Sequence, residues 1–379
     1  MSETRFLQIH TLHAYPGVLL NRDDAGLAKR LPFGGTTRAR ISSQCLKRRW
    51  RTATDPRWSF DRIGVPLGQR SKVIVERAIL AGHNLAEPKV KAVAEALWKN
   101  LYGEKATDPK NRQALFFGEP EIAYLRAKAE EALAAPDAKA ATKVIEDFFK
   151  AERENLRALK DGAGLESALF GRMVTSDPAS NRDAAIHVAH AFTVHAIERE
   201  LDYMTVVDDL LSREEGDDPG AAGLFDMELT SGLYYGYVVV DVPLLVSNLT
   251  GDRDLAGRVV EHLIHLIATV SPGAKKGSTA PYAYAEFMLV EAGDGQPRTL
   301  ANAFRDAIPL RSNRLLDETV GRLAAHLSRL DQAFGGAPER RVLNLSATPL
   351  EGVATDTLDG LAAWARERVA ADATTEAAP

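Results

Sequence analysis

Strand-forming segments lie near both ends of this chain, and a long block of helical periodicity separates them. A sheet built from both ends requires the chain to leave the domain and return, so the domain is discontinuous. Phe6 to Leu12, FLQIHTL, alternates apolar and polar side chains as a half-buried strand does. Leu233 to Val242, the segment EFMLVEA at 286–292, and Arg341 to Asn344 read as further strands, with a strand-like entry from Thr37 to Ile41. Between about residues 70 and 166, SKVIVERAILAGHNL, VKAVAEALWKNLYG and ATKVIEDFFKAERENLRALKDG are helical in period and show no convincing strands. Helices are also predicted from about Ser43, over Asp183–Glu200, over Arg253–Val270, at about 299–307 and 318–334, and from about Thr355. The stretch from His13 to Gly35, punctuated by Pro16, Gly17, Pro32, Gly34 and Gly35, reads as a long loop. The expected class is α+β, with a split β-α-β-β-α-β core that receives a helical insertion.

A length of 379 residues leads to an expectation of two or three units, and 45% hydrophobic residues supply a core. No apolar run reaches the length needed to cross a bilayer, and MSETRFLQIH shows no signal-peptide pattern. The single cysteine, Cys45, excludes an internal disulfide framework and fits a reducing cytoplasm. A formal charge of −5 argues against a uniformly basic coat, yet leaves room for a local basic groove.

Such a groove is suggested by TTRARISSQCLKRRWR, Thr36–Arg51, which holds six cationic residues and no acid. From Ala25 to Thr54 there are eight basic residues and again no acid. On a helix, Gln44, Lys47, Arg48 and Arg51 fall on one stripe at i, i+3, i+4 and i+7. Ile41, Cys45, Leu46 and Trp50 fall on the other side, facing a core, together with Arg49, which has no evident role there. Like charges at this spacing repel, and a bound polyanion would offset the cost; the competing reading is a solvated helix face. Either Ser42 or Ser43 can cap the helix, whose N-terminus suits phosphate, and Arg38 and Arg40 precede it. Cation spacing along a backbone favours an extended nucleic acid over a single nucleotide. No GxxxxGK[ST] motif is present, so nucleotide hydrolysis has no support. SPGAKKGSTA, with Lys275 and Lys276, reads either as a second basic contact or as an ordinary solvent loop.

Other constellations are weaker. His187, His190 and His195 on one predicted helix, and His262 with His265 on another, lack acidic or cysteine partners at metal-ligand spacing, so no metal or cofactor is expected. Asp23–Asp24 and Asp208–Asp209 are paired carboxylates that read as loop residues or, alternatively, as ligands for a divalent ion in phosphodiester cleavage. LDYMTVVDDL places Tyr203 and Met204 ahead of an acidic, flexible stretch, as a projecting loop with an apolar tip able to wedge between bases, or as core. GRMVTSDPAS sets Met173 beside Arg172 near a polar loop.

LNRDD, FGG, RARISSQCLKR, GRMVTS, DYMTVVDDL, TSGLYY, and PGAKK followed by LANAF occur in this order from Leu20 to Phe304. Together they resemble the CasC family, the repeated backbone subunit of the type I-E CRISPR surveillance complex called Cascade. The resemblance implies a hand: an RRM-like (ferredoxin-like) palm from residues 1–59, 184–196 and 228–379, helical fingers from 60–183, and a thumb loop at 197–227. It implies guide-backbone contacts at Arg22, Ser42, Gln44, Lys47 and Arg48, a residue set against kinked bases at Met173, a thumb tip at Tyr203 and Met204, and a basic palm loop at Lys275 and Lys276. Family tips can carry two aromatics; here the second position is Met204. Arg38, Arg40 and Arg51 join the RNA-binding set through the charge pattern. The partners implied are CRISPR RNA, neighbouring copies of the chain, other Cascade subunits, target DNA paired to the guide, and a recruited nuclease, with no membrane. The role implied is binding without catalysis. The alternative is a metal-dependent ribonuclease that cuts target RNA with Asp23 or Asp24.

Overall fold

The N-terminal alternation does produce a strand, and the strand runs further than the alternation. In the computed structural model, which describes residues 4–103, 105–152, 164–172, 181–207, 221–273 and 276–371, with backbone alone at 204–207 and 221–226, β1 spans Phe6–Val18. β2 (Arg30–Phe33) and β3 (Thr36–Ile41) then lead into α1 (Ser43–Arg51). β4 (Gly68–Ser71), α2 (Pro88–Tyr102), β5 (Leu115–Gly118), α3 (Glu119–Leu133), α4 (Ala138–Ala151) and α5 (Leu165–Phe170) follow. Next come β6 (Ile186–Val188), β7 (Ala191–Thr193), β8 (Arg199–Val207), β9 (Ala221–Asp241), α6 (Val242–Asn248) and α7 (Arg253–Thr269). β10 (Ala285–Gly293), α8 (Leu315–Phe334), β11 (Glu339–Asn344), β12 (Ala354–Thr355) and α9 (Leu358–Ala370) complete the order.

The chain divides into two compact units. The first comprises Met1–Ser59, His187–Val240 and Val260–Pro379, and carries the large mixed sheet in the order β12-β11-β10-β1-β9-β7-β3-β2, with β6 and β8 also on β9. Its central strands, β10-β1-β9-β7, follow the chain order β1, α1, β7, β9, α7, β10. That is the split β-α-β-β-α-β arrangement, and the expected α+β class is observed. One face of the sheet presents Leu12, Phe192, Tyr235, Phe287 and Leu289 to Val320, Leu323 and Leu327 of α8. The other face receives α1, where Cys45 and Leu46 pack on Tyr15, Ile41, Ala191 and Tyr234.

The second unit comprises Phe60–Ile186 and Asp241–Val259. Its core interleaves Val93, Ala94 and Leu97 of α2, Ile122, Leu125 and Ala129 of α3, and Ala141, Ile145 and Phe148 of α4, spaced at three and four residues as helix stripes require. The expectation of a strand-free block is corrected here, because β4 and β5 pair antiparallel from Gly68↔Gly118 to Ser71↔Leu115. Each has four residues, too few for a period-two signal, and their partners lie far apart in sequence.

Three further expectations are corrected. The loop predicted from His13 begins later: β1 continues through Pro16, but its pairing with β10 ends at His13, so the missing proline N–H breaks no bond on that side. Asp183–Glu200 is not a helix; it forms β6, β7 and the start of β8. Ile186, Val188, Phe192, Thr193 and Val194 favour extended backbone once β9 supplies a partner, as in Phe192↔Tyr235 and Thr193↔Tyr234. The helix at 299–307 shrinks to a 3-10 turn, Ala301–Phe304. The Ile308 N–H, which would continue the helix onto the Phe304 carbonyl, donates instead to Val194 O (3.1 Å).

A buried ionic cluster lies within the first unit. Glu291 bonds His10 Nε2 (3.1 Å), Arg298 Nη1 (2.8 Å) and Arg340 Nε (2.6 Å), and Arg340 also grips Asp331. Burial pushes the Glu291 carboxyl up, but hydrogen bonds from His10 and Arg298 and their charges overcome it and hold it below the usual carboxylate range. Burial pushes the His13 and His265 imidazoles down from 6.5 to about 4. These histidines stay neutral when folded and protonate near 6.5 when unfolded, so the unfolded state binds more protons below that value. Stability is therefore full above it and falls as the pH drops toward 4, by at most about 1.4 kcal/mol per pH unit for each histidine. Glu291 adds a further loss at lower pH, once the unfolded carboxyl protonates. Urea midpoints measured across this range test the sign; a flat or rising profile on acidification would contradict it.

Candidate nucleic-acid interface

The site is built on α1 and the hairpin before it. Gly34 (φ 62°) and Gly35 (φ 77°) both adopt positive φ, which the two-residue turn between β2 and β3 requires. Gly34 also lies so close to the next segment that a side-chain carbon there would sit 1.6 Å from the Arg305 carbonyl oxygen. β3 delivers the chain to Ser42, whose Oγ accepts from Cys45 N–H (3.3 Å); of the two serines, this one is the N-cap. Ser43 N–H is bonded to His190 Nδ1 (3.1 Å), and Ser42 N–H to Asn21 Oδ1 (3.0 Å). Several N–H groups at this helix entrance are therefore satisfied within the protein, and the helix terminus alone is not the anion site. Ser42 is buried, and its hydroxyl oxygen caps α1.

The predicted stripe is present. Gln44 and Arg48 are exposed, Lys47 and Arg51 are half-buried, and Trp50 turns into the core. Arg49, which had no evident role, donates from Nη2 to Gly273 O (2.6 Å), while Cys45 Sγ lies 3.7 Å from Pro272 O. These contacts seat the 271–273 segment against α1. The loop from Leu20 to Gly26 lies on the other side. It is shaped by Asp23, whose Oδ1 accepts from Ala25 N–H (3.0 Å) and Leu27 N–H (2.9 Å). Glu228 of β9, buried, then holds Ala28 N–H (3.0 Å) and Arg30 Nη2 (2.6 Å). Together these elements enclose a groove of about 610 Å³ lined by Leu20–Asp24, Gly26, Cys45, Arg48, Arg49 and Pro272. Arg22 and Arg48 thus share one concavity with Asp23 and Asp24.

Cationic side chains surround His190 at the entrance of α1. Burial first, and then the charges of Arg40, Lys29 and Lys47, push the His190 imidazole down. His190 is exposed and its Nδ1 lies 3.5 Å from Arg40 Nη1. Sequence reading placed it on a helix with His187 and His195 and missed its position at the mouth of α1; the signal was the alternation of IHVAHAFTV, obscured by its alanines. Among the described residues no three His, Cys, Asp or Glu side chains cluster as metal ligands, and no helix is long and apolar enough to cross a membrane.

Arg38 does not belong to the surface set. Its side chain is fully buried, and its guanidinium donates to the carbonyls of Phe33 (3.3 Å), Thr193 (3.1 Å), Phe304 (2.9 Å) and Arg305 (3.3 Å). It ties β3 to β7 and to the turn after Leu300, so the expected RNA contact at Arg38 is withdrawn. Arg40 stays partly exposed, with Nε on Arg30 O (3.1 Å).

Of residues 197–227, where a thumb loop is expected, the described ones include a β-ribbon: β8 pairs antiparallel with β9 from Arg199↔Thr230 to Val207↔Ala221, and residues 208–220 lie outside the described residues. Tyr203 lies opposite Asp226, within the ribbon, and is 62% exposed; Leu201, two residues earlier, is 67% exposed. Met204 pairs with Phe225 in backbone, and its side chain lies outside the described residues, as do Met173, Lys275, Asp208 and Asp209. Lys276 is exposed, with Nζ 5.3 Å from the centre of the Tyr282 ring. Neither Tyr203 nor Lys276 lines the groove beside α1.

This architecture has counterparts among solved structures. A chain described as "CRISPR RNA-guided surveillance complex, pre-nicking" superimposes with a TM-score of 0.73 at 25% identity, over 95% of this chain and 100% of the other. A chain described as "CRISPR RNA-guided surveillance complex" shares the fold with a TM-score of 0.59 at 21% identity, over 95% of this chain and 98% of the other. No curated protein matches. The sequence model described as CT1975-like protein (Cas_CT1975) matches residues 7–366, nearly the whole of both units. The chain therefore belongs to the CT1975-like CRISPR-associated protein family.

Proposed function

We propose that this chain is a CasC-type backbone subunit of a type I-E Cascade complex, binding CRISPR RNA without cutting it. The observation that carries this reading is the α1 stripe, Gln44, Lys47, Arg48 and Arg51, on a helix capped by Ser42, with Arg48 lining the groove that also holds Arg22. Cations spaced along one helix face track a sugar–phosphate backbone and carry no sequence information. Sequence is read by pairing between the guide and target DNA, as in RNA-guided recognition generally. Copies of the chain line up along one guide in the cytoplasm, and the β8–β9 ribbon, with Tyr203 exposed, kinks it at intervals. Other Cascade subunits complete the assembly, and a separate recruited nuclease cuts the target.

Co-expression with a CRISPR RNA tests the assembly. The expected product is one particle with a fixed number of chains per RNA, seen by mass measurement. Its affinity falls with salt along a log–log slope of about −0.7 for each phosphate neutralised. A lone monomer that leaves the RNA behind contradicts the reading.

One observation favours the ribonuclease alternative: Asp23 and Asp24 line the same groove as Arg48. Against it, an Asp23 carboxylate oxygen is already committed to two backbone N–H groups of its own turn. Incubated with magnesium, labelled RNA in the complex is expected to stay intact. Regular cuts that vanish in Asp23→Ala or Asp24→Ala would establish the enzyme instead.

A further inference from the structure

Two tyrosines just before β10 stand at the surface. Tyr282 is 69% exposed and Tyr284 is 72% exposed. Hydrogen bonds hold the backbone that carries them. Ala283, between them, has both backbone groups bonded to the buried Ser271 side chain: its N–H donates to Oγ (3.0 Å), and Oγ–H donates to its carbonyl (3.2 Å). Tyr282 N–H closes a tight turn onto Ala280 O (2.8 Å). The loop beginning at Ser271 is in turn held to α1 by Arg49 on Gly273 O and Cys45 on Pro272 O. Gly273 lies against the Pro281 ring, leaving no space for a side chain between the two ends of the loop. A serine clamp and a helix clamp thus hold the segment that bears the two phenol rings: Ala283 packs on the same cluster as Cys45 and Leu46 of α1, and Lys276 lies near the Tyr282 ring.

We propose that Tyr282 and Tyr284 form a stacking shelf for unpaired bases of the RNA strand whose backbone α1 holds. The inference rests on the guide-RNA reading and adds a second kind of contact to it. Two observations select a nucleic acid over an apolar protein partner. The Tyr282 ring adjoins Lys276, whose charge complements phosphate and would be costly to bury against an apolar face. Tyrosine rings also offer π-faces on which any base can stack, a sequence-tolerant contact suited to a variable guide.

The test uses the full-length protein and two labelled probes of equal length, an oligouridine RNA and an abasic ribose–phosphate strand. The double variant Tyr282→Ala, Tyr284→Ala is expected to bind oligouridine about tenfold more weakly or worse, and to bind the abasic strand as the wild type does. The double variant Tyr282→Phe, Tyr284→Phe retains stacking and is expected to keep wild-type affinity for both. Irradiation with a 5-bromouridine strand is expected to place the adduct on the tryptic peptide from Gly277 to Arg298. The shelf is overturned if the alanine variant binds both probes normally or loses both equally. It is also overturned if that variant changes the size of the protein in the absence of RNA, which assigns the rings to a protein contact. The phosphate site is scored separately: reversal of Lys47 and Arg48 weakens binding of both probes alike, so its failure is distinguishable from failure of the shelf.

Discussion

Lys47→Glu combined with Arg48→Glu lowers affinity for single-stranded RNA by about a hundredfold or more at physiological salt, and leaves the thermal midpoint almost unchanged. Arg48 is exposed and lines the groove; Lys47, one position earlier, is half-buried and adds to the field that depresses His190. Each reversal removes an attraction to phosphate and installs a repulsion, so the pair acts twice at two positions. Neither residue is part of the apolar side of α1, where Trp50, Leu46 and Cys45 do the packing, so the helix stays seated. Affinity measured across a salt series also shows a shallower slope, because fewer counterions are released. Undiminished RNA retention by a well-folded double variant would refute the proposed interface.

The second large effect has the opposite signature. Arg38→Ala costs about 3–5 kcal/mol of stability, and any loss of RNA binding follows unfolding rather than preceding it. The guanidinium is fully buried and donates to the carbonyls of Phe33, Thr193, Phe304 and Arg305, which the substitution leaves without their donor. Burial pushes its pKa down, a sign of how much solvation the side chain has given up. A cavity remains where β3, β7 and the Ala301–Phe304 turn meet. Denaturant unfolding reports the loss directly. A variant as stable as the wild type but deficient in RNA binding would return Arg38 to the interface.

These two arginine cases show what kind of information the chain order carries. The helix at Ser43–Arg51, the presence of a serine cap, the apolar side with Cys45, Leu46 and Trp50, and the stripe of Gln44, Lys47, Arg48 and Arg51 were all legible in advance. Each depends on neighbours within a helical turn or two. The class of fold was legible too, because strands β1, β9 and β10 announced themselves through alternation or runs of β-branched residues. The ribbon of β8 and β9 was less visible: LDYMTVV is short, and the reading as a loop followed the acidic stretch after it. IHVAHAFTV failed for a related reason, since its alanines and histidines imitate a helical period until β9 supplies hydrogen bonds.

Which of the cationic residues face solvent could not be foreseen from their order. Arg38 and Arg48 belong to the same acid-free stretch, and three of the four carbonyls that hold Arg38 lie far along the chain, at Thr193, Phe304 and Arg305. The partners that bury Arg38 lie at Thr193 and Phe304, and those that seat Arg49 lie at Gly273. The same holds for Tyr282 and Tyr284, which an apolar count would assign to a core. Helix formation and charge spacing are local properties and are written in consecutive residues. Exposure is set by contacts between segments hundreds of residues apart, and it exists only once the chain has closed on itself.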